Sequence, residues 1–130
     1  MKYALQFIPE HRLVIETITG DITLEGMIEK TQSLLSHPDY NRLYSGLVDL
    51  RSAVTRISKV EILGFAQLID TSEQFGHAPW AILCGDPMIQ GLSQVFQMRQ
   101  TSPESIGVFT TVADAAKFLD RPIILELLND

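Results

Sequence analysis

The stretch "WAILCGDP" constrains the fold more than any other. Residues 80 to 85 run apolar without alternation, the pattern of a strand covered on both faces, as in a parallel sheet. Asp86 then stands where a helix cap is wanted, and Pro87 at the first helical position. Met88, Ile89, Leu92, Val95, Phe96 and Arg99 continue the helix. A covered strand leading at once into a capped helix is a unit of an α/β layer fold.

The rest of the chain repeats that unit after a different start. "YALQFI" (3–8) and "LVIETITG" (13–20) read as strands, and the short "PEHR" between them makes an antiparallel hairpin. Val14, Glu16 and Ile18 share one face of the second strand. Asp21 or Thr23 can cap the first helix, where Leu24, Met27, Ile28, Thr31, Leu34 and Leu35 recur at helical spacing. Gly26 weakens it by about 1 kcal/mol relative to Ala, unless another backbone must approach there. Pro38 ends it by disfavouring helical geometry at His37. "GLVDLR" (46–51) reads as the third strand and "SAVTRI" as a loop. A helix from Ser58 carries Val60, Ile62, Leu63, Phe65, Ala66 and Ile69. "IGVFTT" (106–111) is the last strand. Thr111 and Asp114 then open a helix with Val112, Ala115, Ala116 and Leu119 on its inner face, and Pro122 begins an apolar tail, "IILELL". The order β-β-α-β-α-β-α-β-α predicts an α/β fold with a mixed sheet, the hairpin supplying the antiparallel strand.

The chain has 130 residues, which favours one domain spanning 1–130. The net charge is −6 and the ten Lys and Arg are scattered, which argues against nucleic acid as a partner. Cys84 is the single cysteine, so no internal disulfide can form and a reducing compartment fits. The first residues hold too short an apolar run for a signal peptide, and no run reaches the ~18 residues of a membrane helix. These features predict a cytoplasmic protein with no stable membrane insertion.

The chemistry-bearing residues are few. His11, His37 and His77 lie in predicted loops without metal-ligand spacing, and no cofactor is implied. Cys84 sits in the most apolar strand, where a thiol acts as a small hydrophobe with a raised pKa. "CGDPMIQG" lacks the Gly-Lys-Ser/Thr of a phosphate loop. Asp49 and Arg51, two apart on a strand, point to one face at its carboxyl end, a usual ligand position in α/β sheets. They either shape a crevice rim or pair with each other to fix the turn. Ser58 and Glu61 have capping-box spacing. The alternative for Ser58 is phosphorylation, since a helix N-terminus favours added negative charge and Arg56 and Lys59 could pair with a phosphate. Asp49, Arg51, Arg56 and Ser58 are therefore the candidate partner or ligand crevice, and no catalytic set emerges.

The run "HRLVIETITGDITLEGMIEKTQSLLSHPDYNRLYSGLVDLRSA" resembles the opening half of SpoIIAA-like proteins, small relatives of the STAS domain. "VFTTVADAAKFL" (108–119) resembles their closing strand and helix. The likeness implies a mixed sheet of four or five strands with helices packed mainly on one face. It also implies a non-enzymatic regulatory module, of the kind found in bacteria, acting through protein–protein contact. In anti-sigma-factor antagonists of this class, a serine in an Asp-Ser-Ser/Thr-Gly-type loop is phosphorylated. Ser58 matches by layout, but Ile57 stands in place of the Asp and the Gly is missing, so the cap is the preferred reading. A homodimer is expected, with Ile123, Ile124, Leu127 and Leu128 either helping to bury an interface or docking on their own sheet. The alternative function is an apolar small-molecule or lipid binder, similar in arrangement to Sec14-type domains. Met27, Phe65, Phe75, Trp80, Met88, Phe96 and Met98 are its candidate lining.

Overall fold

The computed structural model describes residues 1–129. Its strands are β1 (Lys2–Ile8), β2 (Leu13–Ile22), β3 (Ser45–Thr55), β4 (Trp80–Cys84) and β5 (Ile106–Phe109). Its helices are α1 (Leu24–Ser36), α2 (Lys59–Asp70), α3 (Pro87–Met98), α4 (Val112–Leu119) and the short α5 (Ile124–Leu127). The five strands form one mixed sheet in the order β1-β2-β3-β4-β5. The pair β1–β2 is antiparallel and every later pair is parallel.

Local chemistry starts each helix. Thr23 Oγ1 accepts from the Gly26 amide at 3.0 Å and so caps α1. Asp86 caps α3 through the Ile89 amide at 2.9 Å, and Thr111 caps α4 through the Asp114 amide at 3.2 Å. His37 takes an extended conformation (φ −70°, ψ 134°) before Pro38, which stops α1.

The strand order decides where the helices go. From β2 onward each strand is laid beside its predecessor in one direction, and right-handed crossovers then put every connecting helix on the same face. Helices α1, α2 and α3 occupy that face, over Ile18, Ile22, Leu50, Ile82 and Cys84. Among the described residues α4 leads to no further strand of the sheet, so it is released from the rule. It folds with α5 onto the opposite face, against Leu13, Ile15, Leu47 and Leu83. The apolar tail is part of this second layer. Ile124 is fully buried, and Ile123, Leu127 and Leu128 pack on the same cluster, so the tail docks on its own sheet.

Two sequence expectations change. "SAVTRI" is not a loop throughout, because β3 continues to Thr55 and pairs Ser52–Thr55 with Thr19–Ile22 of β2. A bulge separates the two paired stretches, since Asp49 to Ser52 spans one residue more than Thr17 to Thr19. Long-range pairing overrides the polar composition there. At Gly26, what a side chain would meet is the Met1 thioether, 2.6 Å from an added Cβ, rather than another backbone.

Candidate functional site

A cavity of about 370 Å³ lies between the sheet and α1, α2 and α3. Its size falls within the range of small-molecule sites. The floor is built by strand alternation. Glu16, Val48 and Ile82 are register partners across β2, β3 and β4, and all three line the cavity. The roof comes from the inner faces of the helices, with Met27 on α1, Ile62 and Phe65 on α2, and Ile89 and Phe96 on α3. Helix α2 leans more heavily on α3 than on α1.

Aromatic rings shape the end near the start of β4. Trp80 lies over Gly46, its register partner, where an added Cβ would stand 2.3 Å from the ring. Only glycine leaves room for the indole. Phe75, in the loop before β4, meets Trp80 edge-on at 6.1 Å and Tyr40 edge-on at 6.4 Å. Phe65 and Phe96 approach to 5.9 Å across the roof. Asp70 accepts from the Thr101 amide at 2.7 Å and its hydroxyl at 2.8 Å, clipping the end of α2 to the α3–β5 loop. These bonds hold the Asp70 carboxyl below the usual range. His77 and Thr101 line the cavity yet are exposed, which marks the mouth at this end.

One ion pair interrupts the apolar wall. Lys30 Nζ donates to Glu16 Oε1 at 3.2 Å and stands 3.0 Å from Oε2. The second oxygen is within ion-pair distance but off the direction of a hydrogen bond, so it accepts none among the described residues. Glu16 is 1% exposed and Lys30 5%. Both line the cavity. Burying two charges costs several kcal/mol per ion, and their attraction offsets it only when the remaining polar capacity is met. Here it is not met by the protein.

The four residues singled out in the sequence are not brought together. Asp49 and Arg51 do share a strand face and pair in bidentate fashion, Nε to Oδ1 and Nη2 to Oδ2 at 3.0 Å each. The Arg51 amide also donates to Asp49 Oδ1 at 3.1 Å. That face carries Leu47 and the α4–α5 layer, and Arg51 Nη1 donates to the carbonyl of Asn129. Arg56 pairs with Asp21 at 3.5 Å on the open surface. Ser58 makes the full capping box, accepting from the Glu61 amide at 3.1 Å while its own amide donates to Glu61 Oε1 at 3.0 Å. None of the four lines the cavity, although Thr55 and Ile57 between them do.

Cys84 lies on the cavity side of the sheet, away from Asp49 and Arg51, and donates to Ser93 Oγ at 3.6 Å. Burial pushes its thiol pKa up, the Ser93 hydroxyl opposes this, and Asp86 adds to it. His37 stacks on Phe7 at 4.4 Å and does not line the cavity, whereas His77 does. Among the described residues no group of three His, Cys, Asp or Glu could hold a metal ion, and no helix is long and apolar enough to cross a membrane.

Of the lining residues expected for an apolar ligand, Met27, Phe65, Phe75, Trp80 and Phe96 face the cavity. Met88 and Met98 do not, being 66% and 77% exposed. Glu16 and Lys30 went unnoticed as a pair. Their signal was present singly, as a Glu between Val14 and Ile18 on one strand face and a Lys three residues beyond Met27 on a helix. No family model matches the chain, and no curated protein matches it.

Proposed function

We propose that this protein is a non-enzymatic, STAS/SpoIIAA-like binding domain whose ligand is an apolar small molecule held between the sheet and α1–α3. The cavity is the observation that supports this reading. The space of about 370 Å³ is reached by solvent at its mouth, and its apolar walls offer water few partners. An organic ligand lying against Phe75, Trp80 and Phe96 displaces that poorly bonded water, and its own removal from water drives binding. An apolar site of this size suits a carrier or sensor of such molecules. The single cysteine, free and buried, suits a reducing compartment, and we place the protein in the cytoplasm.

Native mass spectrometry of freshly purified protein tests the reading. A recurrent added mass that is lost on organic extraction is the expected result. A clean apo mass across several preparations, with no uptake of added apolar compounds, overturns it.

A second reading, contact with a protein partner, draws on Val54 and Val60, which are 53% and 78% exposed on either side of Ser58 in the chain. A second copy of the chain would be one such partner. Light scattering that finds only monomer at high concentration removes the homodimer.

A further inference from the structure

We infer that the ligand of this cavity carries a neutral hydroxyl head, and that Glu16 and Lys30 hold it. This rests on the binding reading above and names the chemistry the site selects. The two side chains form a net-neutral, buried pair on a wall that is mainly apolar. Each retains unused hydrogen-bonding capacity toward the cavity. Glu16 Oε2 accepts no hydrogen bond among the described residues, and the only partner of Lys30 Nζ there is Glu16. An ammonium has three donors and a carboxylate about four acceptor sites.

The complementary group must donate to Glu16 and accept from Lys30 at the same time. A hydroxyl does both. A carboxylate would face Glu16 and bring a net negative charge into a buried site. An amine would face Lys30 and bring a net positive one. Either leaves an uncompensated charge at low dielectric, the costly case. A plain hydrocarbon fills the cavity but leaves the pair unsatisfied. The ligand class is thus an apolar alcohol, and the volume holds on the order of a dozen non-hydrogen atoms, taking about 30 Å³ for each water-sized unit. Without ligand, a water would occupy the same position, and the hydroxyl replaces it with equivalent bonds.

Trp80 is the only tryptophan and lines the cavity, so its emission reports occupancy directly. Native protein is titrated with decanol, decane, decanoate and decylammonium. Decanol is expected to bind at least about ten-fold more tightly than either charged compound, the worth of one charge-assisted hydrogen bond. The same titrations are run on the double variant Glu16→Leu/Lys30→Met, which removes both charges at similar volume. There the ratio of decanol to decane affinity falls by about ten-fold or more. An unchanged ratio, or tighter binding of a charged head to native protein, overturns the inference while leaving the apolar site intact. No response of Trp80 to any of the four compounds overturns the binding reading itself. The comparison of heads on native protein stands even where the double variant fails to fold.

Discussion

Lys30 and Glu16, fourteen residues apart on different elements, meet at 3.0 Å on the wall of an apolar cavity, and neither is more than 5% exposed. The pair joins α1 to β2 and sets two buried charges against the ligand space beside Val48 and Met27. Its energetics are asymmetric. Lys30→Met alone strands a carboxylate in the interior and should lower stability by about 3 kcal/mol. Glu16→Leu with Lys30→Met should restore most of that loss or exceed native stability. Urea denaturation of the three proteins measures the difference. A single variant as stable as native would show that the pair is not held in a low-dielectric site.

Ser58 separates a structural from a regulatory role. Its hydroxyl is engaged with the Glu61 amide, so Ser58→Ala should cost about 1 kcal/mol. Ser58→Asp keeps an acceptor at the cap and should stay within a few tenths of a kcal/mol of native. Thermal melts of both variants check this. If Ser58→Asp is as damaging as Ser58→Ala, the cap does not account for the residue.

Gly46 is required by Trp80. A Cβ at that position would stand 2.3 Å from the indole, so Gly46→Ala should destabilise by about 1–3 kcal/mol through overpacking. The ring must then move, and the emission maximum of Trp80 should shift. Unchanged emission together with unchanged stability would contradict the placement of the ring.

Tyr40 gives the protein an alkaline signature. Burial pushes its phenol up to about 12 from the usual 10.0, with Glu16 adding to the shift and Arg42 opposing it. A raised folded pKa means that the folded state holds the proton more tightly. The associated stability is fully present below pH 10.0 and is lost as pH rises toward about 12. Absorbance titration should show one phenolate appearing near pH 12, absent from Tyr40→Phe. Because the Tyr40 hydroxyl donates to the Gln74 carbonyl at 3.3 Å, the loop that carries Phe75 should loosen over the same range.

Much of this architecture follows from short-range chemistry, and that part is legible in the sequence. Thr23, Ser58, Asp86 and Thr111 each cap a helix through an amide three residues on, a contact the chain makes whatever surrounds it. The unbroken apolar run of β4 and the helices around it announce a covered parallel strand in the same way. Apolar spacing likewise marked Met27, Phe65 and Phe96 as inward residues, but it marked Met88 too, which α3 turns to solvent. Periodicity finds an apolar stripe without showing how far the opposing layer extends over it. What remained hidden depends on pairing between distant segments. The extension of β3 through Ser52–Thr55 exists because β2 lies beside it. Asp49 and Arg51 alternate with Val48 and Leu50 and so point away from the cavity, but which face holds the cavity was decided by the packing of α1, α2 and α3. The cavity and its ion pair exist because one strand position and one helix position, unremarkable alone, are brought within 3.0 Å by the packing of α1 on β2. Sequence determined the elements and their ends, through bonds a few residues long. Tertiary packing decided the site, through contacts between segments that no local pattern relates.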